Sequence, residues 1–500
     1  MTLAADQAQL QLVVSLASTG NLAAAMAIAA TIVDKAKCAE AWVCVARVNA
    51  NSQRFEAALS ALEIALKQQP ASRPLRLERA RLLAQCGLAD QSLHELEALA
   101  LEAVDSPELL AQLALALQYA GRDDEAQARL EQGLARWPAH AALHEHLARL
   151  RFARDRDEHF TQRLEQAIGD FPAEMPLRLV AAGLLRNAGH VGRALELLRE
   201  GLRLAPHSPA FLTSVGVLLD ERDCSDEAIG LLRAAVQRAP HSAQMKRNLI
   251  PALLRRALHA EARALCEELL LRDPDDQKLL AYHATVLRMS GDAGYAALHD
   301  YPRLVRAYQP APPAGFSSIG DFNAAFAREL SRLHRTHHHP LDQSLRGGSQ
   351  TERNLPSDNP VIAAFFSLID EPIRDYIGRL RDGDRTHPTD RRKSADYRIS
   401  GSWSVRLMPG GFHVNHVHPR GWISSAYYVE LPDSMHGAHG NEGWLKFGEP
   451  DGHYAGCTAD HLVEPVAGML VLFPSYLWHG TVPFERGGRR LTAAFDVIPA

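Results

Sequence analysis

Several features that define other protein classes are rare or missing in this sequence. Its six cysteines, at positions 38, 44, 86, 224, 266 and 457, form no Cys-x-x-Cys pair, so we expect reduced thiols rather than disulfides or a cysteine zinc site. No segment approaches the roughly 20 apolar residues that span a bilayer. The first residues, MTLAADQAQLQLVV, lack the basic region of a secretory signal, and we therefore expect a cytoplasmic protein with no membrane partner.

Charge and size narrow the class further. The formal net charge is -5, which gives no reason to expect nucleic acid as a partner. A chain of 500 residues, 46% hydrophobic and 23% charged, is typical of a globular protein with two or more domains. Histidine is unusually abundant towards the end, because 13 of the 24 histidines lie at or after His334. This skew indicates that chemistry resides in the C-terminal part.

A period of 34 residues runs through the first 300 residues. Prolines stand at 138, 172, 206, 240 and 274, and alanines at 126, 194, 228 and 262 keep the same register, as do glycines at 87, 121, 189 and 291. One unit, SPELLAQLALALQYAGRDDEAQARLEQGLARWP (106–138), places glycine between two helical patterns and proline after the second. The period and the pattern resemble the tetratricopeptide repeat, in about eight units between residues 21 and 298.

The repeats predict an all-α superhelix over residues 1–300. Such a superhelix has a concave face that binds a peptide or protein. A scaffold or a dimerisation arm, and hence a homodimer, is the alternative use of these repeats.

The pattern changes near Tyr301, and residues 301–500 form the second predicted domain. YPRLVRAYQPAPPAGF (301–316) resembles a linker or domain entry, and a helical preface follows over 315–385, with helices at 319–333 and 361–380. Strand-like segments then run over 395–500: YRISGSWSVRLM, HVNHVH, WISSAYYVEL, GWLKFG, GMLVLFP and RRLTAAFDVI. Strands separated by Gly, Pro and Asp turns predict an antiparallel sandwich or barrel, so we expect an α+β domain.

Three histidines in GGFHVNHVHP (410–419) stand at the start of this region. Alternation on a strand points His416 and His418 to one face and His413 to the other. His479 and, eleven residues later, Arg490 follow downstream. Three ligands on one face of Fe(II) leave positions open for a bidentate cosubstrate and O2. Arg490 is suited to pairing with a carboxylate.

From about residue 341 to the end, the chain resembles the Fe(II)/2-oxoglutarate-dependent oxygenases, of the prolyl-hydroxylase-like kind found in a group of bacterial and phage proteins. The matching motifs are QSLRGGSQT (343–351), NHVHP (415–419), SSAYYVELP (424–432), LVLFPSYLWHGTVP (470–483) and RRLTAAFD (489–496). The resemblance implies a double-stranded β-helix (jelly-roll) core and the cofactors Fe(II), 2-oxoglutarate and O2.

The resemblance also implies roles for individual residues. His416 and His479 would be iron ligands, and Arg490 would hold the distal carboxylate of 2-oxoglutarate, with Arg489 as the alternative. One of Tyr427 and Tyr428 would assist through its hydroxyl.

One position departs from the family pattern. The common triad is His-x-Asp/Glu…His, and His418 occupies the acidic position. Three interpretations stay open: His418 is the third ligand, or it lies behind a site of two histidines and water, or the site is defective. A neutral site removes one negative charge, which favours the dianionic cosubstrate and weakens metal retention.

Other residues carry weaker expectations. His413 is expected at the rim, and the run 337–339 of three histidines is expected in a solvated loop. Arg346, Gln350 and Asn415 are candidate substrate contacts, although Arg346 and Gln350 equally fit a turn at the Gly-Gly pair. The sequence thus predicts a hydroxylase acting on a side chain of a docked peptide or protein. The alternatives are a repeat-based adaptor with an inactive oxygenase-like domain and a three-histidine, cupin-type dioxygenase that does not use 2-oxoglutarate.

Overall fold

A computed structural model describes residues 9, 12–13, 22–36, 38–51, 55–86, 88–102, 106–155, 159–223, 225–334, 341, 343–351, 354–432 and 440–500. The run of three histidines at 337–339 lies outside these residues. No helix in this part of the chain is long and apolar enough to cross a membrane. The chain divides into two compact units, one of residues 1–151 and 158–181, the other of residues 152–157 and 182–500.

The first part of the chain consists of short helices, as the 34-residue period predicts. They are α1 (Leu22–Ala36), α2 (Ala39–Asn51), α3 (Phe55–Gln68), α4 (Arg73–Gln85), α5 (Ala89–Glu102), α6 (Pro107–Tyr119), α7 (Asp123–Arg136), α8 (Ala141–Asp155), α9 (Gln162–Asp170), α10 (Met175–Asn187), α11 (Val191–Leu204), α12 (Pro209–Asp223), α13 (Asp226–Arg238), α14 (Ala243–Arg255), α15 (His259–Arg272) and α16 (Gln277–Met289).

The helices of one repeat show why the sequence period works. Ser106 caps α6 by accepting a hydrogen bond from the backbone N–H of Leu109. Helix α7 ends at Arg136, and Trp137 and the repeat's proline, Pro138, follow it. Gly121 joins the two helices with φ of 75°, a conformation that glycine adopts without strain. Ala126 is fully buried, so the two helices approach closely at this point.

The second part begins with short helices and a strand that the sequence did not predict. Helix α17 (Gly294–Leu298) precedes the segment expected to be a linker or domain entry (301–316), and that segment includes α18 (Tyr301–Leu304) and β1 (Arg306–Tyr308). The segment is an entry to the β domain, because β1 pairs with a later strand at the edge of the main sheet. The two preface helices are confirmed as α19 (Ile319–Leu333) and α20 (Pro360–Arg379).

The remaining strands form two antiparallel sheets. They are β2 (Leu345–Gln350), β3 (Tyr397–His413), β4 (Ile423–Glu430), β5 (Leu445–Phe447), β6 (His461–Val463), β7 (Leu470–Pro474), β8 (His479–Thr481) and β9 (Arg490–Pro499). Six strands have the order β1-β7-β4-β9-β3-β2, and three have the order β6-β5-β8. A helical repeat region followed by an α+β domain with a double-stranded β-helix core is thus confirmed.

The main sheet has two different faces. Its outer face packs on α19 and α20, with Phe326 and Phe365 against Tyr427 and Phe495. Its inner face meets the smaller sheet, with Phe473 against Phe447. Because side chains alternate along each strand, every second residue of β4 and β9 points into the space between the sheets.

The last repeat helices pack directly against the β domain. Trp478 is buried in a cluster with residues of α13–α16, and its indole N–H donates to Thr285 Oγ1 at 3.0 Å. Lys278 pairs with Asp451 at 2.6 Å, and its Nζ lies 4.4 Å from the ring centre of Trp478. The compact unit of residues 182–500 therefore contains both repeats and sheets, and the division at residue 300 stays a prediction about the sequence pattern.

We predict that a fragment of residues 301–500 loses cooperative folding, whereas a fragment of residues 188–500 retains it. The shorter fragment exposes Trp478, Val417, Tyr454 and Cys457, which α13–α16 bury, and exposing one large apolar side chain costs about 1.5–3 kcal/mol. Thermal unfolding followed by circular dichroism provides the measurement. Equal, cooperative melting of the two fragments would show that the repeats are not needed for the β domain to fold.

Candidate metal centre

Backbone hydrogen bonds bring three histidines together at one end of the sheets. The N–H of His416 donates to the carbonyl of His479 at 2.9 Å, and the N–H of His479 donates back at 3.0 Å. The N–H of His418 donates to the carbonyl of Ser475 at 3.1 Å. One ring nitrogen from each histidine lies within 4.8 Å of the others. This distance fits three ligands of a single metal ion.

Each of the three rings has its Nδ1 engaged. His416 Nδ1 lies 2.8 Å from the carbonyl of Val414, and His479 Nδ1 lies 2.9 Å from the carbonyl of Leu477. His418 Nδ1 lies 2.6 Å from Oδ1 of Asp496. Because carbonyl and carboxylate oxygens accept hydrogen bonds, Nδ1 carries the proton and Nε2 is left with a lone pair in each ring. Three imidazoles that each present an Nε2 atom suit a divalent transition metal.

Burial keeps the rings of His416 and His479 unprotonated. Desolvation, reinforced by His418, lowers the pKa of His416 to about 3. Desolvation, with His416 as the next contribution, lowers the pKa of His479 well below its usual range. A proton and a metal ion compete for the same lone pair, so low pKa values leave the lone pairs available at neutral pH.

A buried cation lies on the inner face of the main sheet, at the start of β9. Arg490 is 2% exposed, and among the described residues no carboxylate pairs with it. Its guanidinium carbon lies 5.1 Å from the ring centre of Tyr428, whose hydroxyl also lacks a hydrogen-bond partner within the part of the chain described. Burial lowers the pKa of Arg490. An uncompensated buried guanidinium beside an unpartnered hydroxyl is suited to binding an anion such as a carboxylate.

The structure places the two alternative residues elsewhere. Tyr427 points to the outer face, where its hydroxyl donates to Asn323 Oδ1 at 2.7 Å. Arg489 pairs with Glu430 at 2.9 Å. Alternation along β4 and β9 explains both results, because Tyr428 and Arg490 share the inner face and their chain neighbours do not.

The candidate substrate contacts take part in local structure. Arg346 Nη1 donates to the carbonyls of Gln343 and Leu345 at 2.9 Å, and Gln350 lies opposite Val405 at the edge strand β2. Asn415 donates to the carbonyl of Pro450 at 3.0 Å. Their role in binding a substrate therefore stays a prediction.

His413 does not point away from the other histidines, contrary to the simple alternation. Its ring centre lies 5.7 Å from that of His416, and the hydroxyl of Ser344 lies 3.0 Å from His413 Nδ1 and 3.3 Å from His416 Nε2. The reason is that β3 ends at His413, so the period of two does not continue to His416. The bend at Gly410, with φ of 81°, precedes this end.

Two polar residues lie beside the histidines although the sequence predicted no role for them. Ser344 lies in the QSLRGGSQT motif, and Asp496 lies in RRLTAAFD. Asp496 could have been found from the alternation of β9, since it lies six residues after Arg490 and therefore on the same face. No local signal identifies Ser344, because its contact with His413 joins distant parts of the chain.

We predict that the metal-free protein loses stability as the pH falls from 7 to 5. The buried rings of His416 and His479 stay neutral when folded, whereas in the unfolded chain they take up protons below about pH 6.5. Each such ring lowers the unfolding free energy by up to about 1.4 kcal/mol per pH unit in this window. The melting temperature, measured by calorimetry with a chelator present, reports the effect.

The variant His479→Asn should show a shallower pH dependence, since one proton fewer is taken up on unfolding. The exposed His241 provides the control, because His241→Asn should leave the slope unchanged. Equal slopes for His479→Asn and the parent chain would contradict the burial argument.

Comparisons with solved structures give low overall similarity. A Pseudomonas putida prolyl-4-hydroxylase is 20% identical, with 41% of this chain and 98% of that chain covered and a TM-score of 0.27. The APC/C hetero-tetramer Cut9-Hcn1 is 17% identical, with coverage of 55% and 54% and a TM-score of 0.30. A monomeric IFIT1 mutant with Gppp-AAAA is 16% identical, with coverage of 65% and 82% and a TM-score of 0.33. No curated protein matches the chain.

Two family models match separate parts of the chain. Residues 217–277 match the tetratricopeptide repeat. Residues 401–496 match the family described as "Putative 2OG-Fe(II) oxygenase", and this match includes the three clustered histidines and Arg490. The chain therefore contains a tetratricopeptide-repeat region followed by a C-terminal domain of the 2OG-Fe(II) oxygenase family.

Proposed function

We propose that the C-terminal domain is an Fe(II)- and 2-oxoglutarate-dependent oxygenase that hydroxylates a side chain of a peptide or protein docked by the repeats. The observation that carries this proposal is that three histidines able to bind a metal lie near one buried arginine that pairs with no carboxylate of the described residues. A metal ion and a dicarboxylate are the two ligands that these groups suit.

The donor set fits Fe(II). His416, His418 and His479 each present a neutral imidazole whose Nδ1 is held by a hydrogen bond. Three such ligands leave further coordination positions for a bidentate cosubstrate and O2. We assign His418 as the third ligand, because its Nδ1 bond to Asp496 leaves Nε2 as the nitrogen that can bind the ion.

The anion site fits 2-oxoglutarate. Arg490 supplies a bidentate donor, and the hydroxyl of Tyr428 supplies a second hydrogen bond to the same carboxylate. The neutral histidine set leaves the centre one positive charge richer than a centre with an acidic ligand. Both effects favour a dianionic cosubstrate.

Iron bound there, together with 2-oxoglutarate and O2, would supply the oxidising chemistry that inserts one oxygen atom into a C–H bond of the substrate and yields succinate and CO2. The chain's own residues position the reactants and exclude water. Phe473 packs edge-on against the ring of His479 with centroids 4.7 Å apart, and Trp403 lies 5.6 Å from the ring of His418. These aromatic side chains hold the ligand rings and provide an apolar wall.

The repeats supply the docking surface in this proposal. Tetratricopeptide repeats form surfaces that bind chains, and docking raises the concentration of a substrate segment at the site. The contact of Trp478 with α16 supports this arrangement, because Trp478 directly precedes the ligand His479 and its indole N–H donates to Thr285 of the repeat helix. The cytoplasmic location stays part of the same proposal.

We predict that the full chain with Fe(II) converts 2-oxoglutarate to succinate, and that a substrate peptide increases the rate. Succinate release is measured together with thermal shifts on adding Mn(II) and 2-oxoglutarate. Metal binding without any succinate, with or without peptides, would favour a three-histidine dioxygenase that does not use 2-oxoglutarate. Absence of both metal binding and succinate would favour the adaptor.

We predict that Arg490→Met raises the KM for 2-oxoglutarate roughly 10- to 100-fold, the loss expected for one charge-assisted hydrogen-bonding pair. Metal affinity should not change, because Arg490 does not belong to the histidine cluster. Tyr428→Phe should raise the KM by a smaller factor.

The neighbouring residues provide matched controls for these two variants. Arg489→Met and Tyr427→Phe remove the same groups from the other face of the sheet. Both controls should keep the parent KM. A control variant that raises the KM as much as its partner would contradict the assignment of the inner face.

A further inference from the structure

A buried carboxylate lies directly behind one of the three histidines. Asp496 is 7% exposed, and its Oδ1 accepts a hydrogen bond from His418 Nδ1 at 2.6 Å. The same oxygen accepts a bond from the hydroxyl of Ser424 at 2.8 Å, and Ser424 also contacts Ser475 Oγ at 2.8 Å. Asp496 is thus held by two hydrogen-bonding partners, His418 and Ser424, both at Oδ1.

Within the part of the chain that the structure describes, no lysine or arginine forms an ion pair with Asp496, and His418 is the basic residue that contacts it. A buried carboxylate without a compensating charge is costly. A divalent ion on the far side of the His418 ring would supply that compensating charge through the imidazole.

We propose that Asp496 is a positioning residue for the metal centre, and this inference rests on the proposed function. It fixes His418 in the orientation and tautomer that present Nε2 to the ion. It also supplies the negative charge that the three neutral ligands lack. In the common triad an acidic side chain binds the metal directly. In this chain the acidic group, Asp496, instead contacts the ligand His418.

The local packing agrees with a fixed arrangement around Asp496. A Cβ atom added to Gly421 would lie 2.2 Å from Ser475 Oγ and 3.6 Å from Asp496 Oδ1. The backbone therefore approaches this hydrogen-bonded group as closely as glycine allows. The carbonyl of His418 accepts the N–H of Gly421 at 3.1 Å, so the backbone of His418 is connected to this glycine by a hydrogen bond.

The experiment compares Asp496→Asn, Asp496→Glu and the parent full-length chain. Co(II) affinity is measured by competition with a chelator, the visible absorption of bound Co(II) reports the ligand set, and the melting temperature is taken without metal. Asparagine keeps the shape of aspartate and loses its charge, whereas glutamate keeps the charge and changes the shape. We expect Asp496→Asn to lower Co(II) affinity about 10- to 100-fold, a loss typical of removing a carboxylate behind a histidine ligand.

The order of affinities decides between charge and shape. A charge role predicts that affinity falls from aspartate to glutamate to asparagine, and that the metal-free Asp496→Asn protein melts no lower than the parent chain. A purely structural role predicts that asparagine matches aspartate in affinity, that glutamate is worst, and that the metal-free variants melt lower. That second pattern would overturn the inference.

Two further variants keep the test decisive. Ser424→Ala removes the other partner of Asp496 and should change Co(II) affinity less than Asp496→Asn does. In a His418→Ala background, Asp496→Asn should cause no further loss, because Asp496 acts through His418; an equal loss in that background would contradict the inference. If the parent chain binds no Co(II), the proposed function fails; if the parent and Asp496→Asn bind it equally, only the role of Asp496 fails.

Discussion

The central strand β9 carries the constraint on which the site depends. It pairs with β3 on one side and β4 on the other, so neither its register nor its faces can shift without breaking both ladders. Its outer residues, including Phe495, pack on the preface helices. Its inner residues include Arg490 and Asp496, which lie six residues apart. One strand therefore places both the candidate anion site and the carboxylate behind the candidate metal ligand.

The charges between the sheets explain one another when they are considered together. Among the described residues, Arg490 is a buried cation without a carboxylate partner, and Asp496 is a buried carboxylate whose only cationic partner is His418. Each is costly alone, and neither neutralises the other. A metal ion at the three histidines would compensate Asp496, and a dicarboxylate cosubstrate would compensate Arg490. We infer that Arg490 and Asp496 lower the stability of the protein without ligands and allow it to bind the metal ion and the cosubstrate.

Regular patterns made much of this architecture predictable from the sequence. The 34-residue period predicted the repeat helices, and the period of two along β4 predicted that only one of Tyr427 and Tyr428 faces inward, although not which one. Prediction failed where the pattern stopped or the contact was distant in sequence. His413 ends β3, so alternation does not extend across it to His416, and β1 has only three residues. The contacts of Trp478 with Thr285 and of Asp496 with His418 join segments far apart in the chain, which no local periodicity reveals.

In the proposed centre, three imidazoles and no carboxylate bind the metal. X-ray absorption at the iron edge of the anaerobic, Fe(II)-loaded full-length chain tests this ligand set most directly, because imidazole rings produce a multiple-scattering signal that carboxylate oxygens do not. We expect a signal from three imidazoles, which falls to two in His418→Ala. Two imidazoles in the parent chain, or a carboxylate bound directly to the iron, would contradict it.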